Sequence, residues 1–139
     1  MEVIYKGIIK PSELTMTVNA IKSVIEEIKR LFSEDVYVRE EWEGSWRGNI
    51  TVFICDAKYA TVSIDFLRKP ESTELIKLKA YIDIMNLPED RELRKNLFSK
   101  LIEIMCITQT YCDPIYDVVL NSRRDTDTLN KLLETLSFK

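Results

Sequence analysis

Two stretches alternate strictly between polar and apolar residues, and that alternation constrains the fold more than any other feature. Residues 59–67 place Ala60, Val62, Ile64 and Phe66 on one side and Tyr59, Thr61, Ser63 and Asp65 on the other. Residues 75–85 set Ile76, Leu78, Ala80, Ile82 and Ile84 against Lys77, Lys79, Tyr81 and Asp83. A period of two held this long means β-strand. A single apolar side means a sheet covered on one face only.

The cover must come from helices. Leu14, Val18, Ile21, Ile25, Ile28 and Phe32 recur at spacings of four and three, which is one stripe of a long helix. Pro11 ends the strand before it, and Ser12 is the expected cap. Leu93, Leu97, Leu101, Ile104 and Thr108 form a second stripe. Pro88 is expected in the first turn of that helix, where a missing N–H costs nothing. Glu89, Asp90 and Glu92 suit the positive end of its dipole. Leu129, Leu132, Leu133 and Leu136 predict a short final helix, capped by Asp125 or Thr126.

Further strands are expected over 3–10, 36–42 and 49–55. Residues 115–120 read equally as a short helix or an edge strand, and the place of the first strand in the sheet stays open. The expected fold is therefore α+β, one domain over residues 1–139. It is a two-layer sandwich with an antiparallel sheet of four to five strands. Two long helices and a short C-terminal helix cover one face, in the order β-α-β-β-β-β-α-x-α. This element order is similar to the cystatin-like arrangement and to secretion-chaperone folds. The similarity carries no motif and implies architecture alone.

Loop lengths predict a register. The hairpin through residues 69–73 sets Asp65 opposite Lys77, Ser63 opposite Lys79 and Thr61 opposite Tyr81, with Ile64 facing Leu78 and Val62 facing Ala80. The turn at Asp56-Ala57-Lys58 pairs Ile54 with Ala60 and Val52 with Val62. Both tryptophans fall at a third turn, Glu41-Trp42-Glu43-Gly44-Ser45-Trp46-Arg47-Gly48. Trp42 shares a face with Val36 and Val38 and should cover the open end of the core. Trp46 lies at the tip, with no assigned place to be buried.

Several chemistries are excluded. The chain has no histidine, so it offers no Ser-His-Asp or Cys-His pair and no imidazole metal ligand. Cys55, Cys106 and Cys112 are too few for a four-cysteine zinc site and read as small apolar residues. Three glycines, with Gly7 far from the other two, build neither a phosphate-binding loop nor a dinucleotide fingerprint. With 20 basic against 23 acidic side chains, a dedicated nucleic-acid surface is not expected. Asp56-Ala57-Lys58 matches the acidic-x-lysine element of nucleases, yet three common residue types in a turn carry no weight. Asp125 and Asp127 likewise offset Arg123 and Arg124.

No catalytic residue, metal site or cofactor is assigned. The polar side of the sheet is the remaining candidate, because Tyr37, Phe53, Tyr59 and Tyr81 gather there with Arg39. Tyrosine and arginine are enriched at protein interfaces. Residues 104–112 run without a charge, so that helix end also needs a cover. The expected function is a non-enzymatic, cytoplasmic protein-binding domain of an immunity, chaperone or regulatory kind, as a homodimer. The candidate contact residues are Trp46, Tyr37, Arg39, Phe53, Tyr59 and Tyr81, with neither a membrane nor a nucleic acid as partner. Two alternatives stand beside it. One is a small-molecule pocket between sheet and helices. The other is a metal-dependent hydrolase built on Asp65 and Asp83.

Overall fold

A computed structural model describes residues 1–33, 35–44, 47–68, 75–107, 115–119 and 123–136. Strand β1 spans Glu2–Ile9, and a 3-10 turn over Pro11–Glu13 leads into helix α1, Leu14–Leu31. Strands β2 (Val36–Glu43), β3 (Arg47–Ile54), β4 (Ala60–Leu67) and β5 (Ile76–Ile84) form a meander. Helix α2 (Arg91–Ile107), strand β6 (Ile115–Val119) and helix α3 (Arg123–Leu136) complete the order. The fold is α+β: a six-stranded antiparallel sheet, β2-β3-β4-β5-β1-β6, packed against helices.

Two open points of the sequence reading are settled by strand pairing, and a third by helix length. The sheet has six strands, not four or five, because the ambiguous segment at 115–119 is a strand on β1. The first strand sits between β5 and β6. At fourteen residues, α3 is not a short helix.

The core lies between one sheet face and the helices. Ile50, Val52, Ile54, Val62, Ile64, Leu78 and Ile82 point into it from the sheet. Val18, Ile21, Ile25 and Ile28 meet them from α1, and Leu97, Leu101 and Ile104 from α2. Both helical stripes are therefore buried as their spacing requires. Thr108 lies outside the described residues. The α3 stripe is only partly used: Leu129 packs against the core, whereas Leu133 is 57% exposed.

The predicted register between β3 and β4 holds, with Ile54 opposite Ala60 and Val52 opposite Val62. Between β4 and β5 it is wrong by two residues. Asp65 faces Lys79, Ser63 faces Tyr81, Thr61 faces Asp83, Val62 faces Ile82 and Ile64 faces Ala80. A shift of two keeps every side chain on its own face, so the apolar pattern cannot oppose it. What pins it lies beyond the strands: Met85 and Asn86 donate backbone N–H bonds to the Tyr59 carbonyl, at 2.9 and 3.2 Å.

The expected caps also move. Ser12 does not cap α1. The chain enters through the 3-10 turn, and Glu13, already αR, takes the cap position with no side-chain bond. Pro88 lies ahead of α2, not in its first turn. Asp90 is the capping residue, accepting the Glu92 N–H on its side chain at 2.9 Å and the Arg94 N–H on its carbonyl at 2.9 Å. Asp125 and Thr126 fall inside α3, which starts at Arg123.

Candidate protein-binding face

The second face of the sheet carries no layer among the described residues. Its side chains follow from the register as four rows across the strands. Tyr37, Phe53, Thr61, Asp83 and Glu2 form the first row, and Arg39, Thr51, Ser63, Tyr81 and Ile4 the second. Glu41, Asn49, Asp65, Lys79 and Lys6 form the third. Glu43, Arg47, Leu67, Lys77 and Ile8 form the fourth.

At the β2 edge, Tyr37 is 64% exposed and its ring lies 5.9 Å from that of Phe53. The Arg39 guanidinium sits 5.9 Å from the same Phe53 ring, and its Nε is 3.7 Å from Glu41. The centre of the face is small and hydrogen-bonded. Thr51 Oγ1 donates to Asn49 Oδ1 at 2.6 Å, and Asn49 Nδ2 donates to Asp65 Oδ1 at 2.6 Å and to Ser63 Oγ at 3.1 Å. Thr51 is buried although no layer among the described residues covers the face, because these neighbours enclose it. On β5, Tyr81 donates to the Glu2 carboxylate. That bond first, then burial and the charges of Glu2 and Asp83, pushes its phenol up to about 12. At the far end, Lys6, Ile8, Arg47, Asp65, Leu67, Lys77 and Lys79 line a shallow depression of about 730 Å³.

The structure thus brings together Tyr37, Arg39 and Phe53 and places Tyr81 on the same face. Tyr59 leaves the set. It precedes β4, and its ring lies 5.6 Å from that of the buried Phe32, so it packs at the end of the core instead. Trp46 and Cys112 lie outside the described residues.

Trp42 is on the core side, as its spacing with Val36 and Val38 implies. Its ring stacks on Phe66 at 5.7 Å and covers Gly48 directly across the strand pair. Its Nε1 donates to Glu40 at 2.6 Å, and Glu40 also pairs with Lys22 of α1 at 2.9 Å. The Lys22 bond and then the Trp42 bond hold the Glu40 carboxyl below its usual range.

Asp65 and Asp83 do not share a site. Asp65 is level with Lys79, four residues along β5 from Asp83, or roughly 13 Å at the ordinary strand rise. Among the described residues no group of three candidate ligands could hold a metal ion. Burial, and then Asp35, pushes the Cys55 thiol up, which opposes a reactive thiolate.

The sequence reading missed Arg94. It is buried, and it donates from Nε to Thr135 Oγ1 at 2.8 Å and from a guanidinium nitrogen to the carbonyls of Pro88 at 3.1 Å and Glu89 at 3.3 Å. It ties α3 to the start of α2. Its place on the Leu97 stripe, three residues before Leu97, was the available signal. No family model matches this chain, and no curated protein sequence matches it.

Proposed function

We propose that this chain is a non-enzymatic protein-binding domain whose contact surface is the open sheet face. The observation that carries the reading is the exposed Tyr37–Phe53–Arg39 cluster on a sheet face with no layer over it among the described residues. Rigid aromatic area beside an arginine supplies binding energy at small entropic cost. The depression at the far end of the same face, lined by aliphatic and mostly cationic side chains, offers a partner both apolar contact and charge. A catalytic reading has less support, since the candidate carboxylates stand in separate rows.

A photo-crosslinking amino acid in place of Tyr37, and separately in place of the exposed Lys95 on α2, tests this in cells expressing the chain. Protein adducts from position 37 and not from position 95 are expected. Adducts equal at both positions, or none at 37, overturn the proposal.

A further inference from the structure

We infer that the open face docks on a second copy of this chain, through a twofold axis running parallel to the strands between β3 and β4. This rests on the face being a protein contact surface and names the protein that fills it. Such an axis lays β2 of one copy over β5 of the other and β3 over β4, each row meeting its own row. The register then decides what meets what.

In the third and fourth rows, Glu41 meets Lys79 and Glu43 meets Lys77. In the second row, Arg39 meets the Tyr81 ring and Thr51 meets Ser63. In the first, the Tyr37 hydroxyl meets Asp83. No like charges oppose each other in these pairs, and the symmetry makes each pair occur twice. Within one copy, Lys77, Lys79 and Glu43 form no ion pair among the described residues. The ion pairs fall on the outer strands, which is the rim. The two inner strands bring Thr51 over Ser63, Phe53 over Thr61, Asn49 over Asp65 and, at the end of the contact, Arg47 over Leu67, at the usual sheet-to-sheet distance of about 10 Å.

The area suffices. Four strands at a spacing of about 4.8 Å, each of roughly eight residues, give a footprint near 500 Å² per copy. Both copies together reach about 1,000 Å², the lower bound for a specific interface. Aligned sheets cross at about 30°, which displaces the corner pairs, roughly 12 Å from the centre of the contact, by about 6 Å, still within the combined reach of a lysine and a glutamate side chain.

Sedimentation equilibrium on the full chain tests this with two charge-reversed variants, Lys77→Glu with Lys79→Glu, and Glu41→Lys with Glu43→Lys. The parent is expected to dimerise, and each variant alone to dimerise about tenfold more weakly or worse, because like charges then face each other. An equimolar mixture of the two variants restores every pair and should return to the parent's affinity. Far-UV circular dichroism spectra like the parent's, with cooperative melts, establish that both variants are folded. A monomeric parent, variants that dimerise like the parent, or a mixture that stays monomeric overturns the twofold docking. A monomeric parent whose position 37 still crosslinks to a different protein overturns the second copy and leaves the protein-binding face standing.

Discussion

Gly48→Ala isolates one contact that the sequence could not show. A Cβ at position 48 would lie 2.2 Å from Cζ3, 2.3 Å from Cε3 and 2.8 Å from Cη2 of Trp42. Ordinary carbon contacts lie at about 3.5–4.0 Å, so the ring must lift by more than an ångström or so. It cannot do so freely. Its Nε1 is tied to Glu40 at 2.6 Å, and its lower face rests on Phe66 at 5.7 Å.

Lifting the ring forfeits the aromatic stacking, about 0.5–1.5 kcal/mol. It also re-exposes part of a side chain that is 40% exposed. Some 60 Å² of lost contact is about 1.5 kcal/mol. Replacing glycine inside a strand returns about 0.5–1 kcal/mol of backbone entropy. The net loss should be about 1–2.5 kcal/mol, read from urea unfolding followed by far-UV circular dichroism. The decisive measurement is the same substitution in a Trp42→Ala background. With no ring to displace, Gly48→Ala should there be neutral or stabilising by up to about 1 kcal/mol. An equal cost in both backgrounds would refute the contact.

Four further outcomes follow from the geometry. Thr135→Val leaves Arg94 Nε buried without an acceptor, so it should cost about 1–3 kcal/mol in urea unfolding and raise hydrogen exchange in α3. Ala57→Gly should stabilise by about 0.5–1 kcal/mol in thermal melts, since Cys55, Asp56 and Ala57 all hold φ between 54° and 63° without being glycine. Tyr81 should titrate at about 12 by ultraviolet difference spectroscopy, and Glu2→Gln should bring it down; its stabilisation is complete below pH 10 and lost from there up to about pH 12. Glu40→Gln should cost up to about 1 kcal/mol near neutral pH, a gap that closes as acid takes the medium below 4.5 and through the lowered native value, measured by urea unfolding at each pH.

The layers were legible because they rest on periodicity. The α1 and α2 stripes are buried on the faces their spacings define, and β4 and β5 expose the residues that alternation exposes. Ends and neighbours were not legible, because they rest on hydrogen bonds between particular atoms. Nothing in the order Pro88-Glu89-Asp90 says that Asp90 caps while Pro88 turns its carbonyl to Arg94. The strand at 115–119 shows the same limit. A run of five residues has no period to read, and only its pairing with β1 defines it. Among the candidate site residues, Tyr37, Arg39, Phe53 and Tyr81 follow from parity. Tyr59 has the same parity and escapes because the strand starts one residue after it.

The two-residue shift between β4 and β5 changes no face, yet it decides what the face can do. In the predicted register, Thr61 stood level with Tyr81 and Ser63 with Lys79. The same twofold axis would then bring Arg39 onto Lys79 and Tyr37 onto Tyr81, placing like charges together at two symmetric points. In the observed register Ser63 is level with Tyr81 and Asp65 with Lys79. Arg39 gains an aromatic ring and Lys79 gains Glu41. Composition and parity are identical in the two arrangements, so neither could reveal self-complementarity. It belongs to register alone, and register here is held by two backbone bonds onto the carbonyl of Tyr59. Slipping β5 back by that one pair would keep every side chain on its own face and set Arg39 against Lys79, removing the reason for two copies to meet.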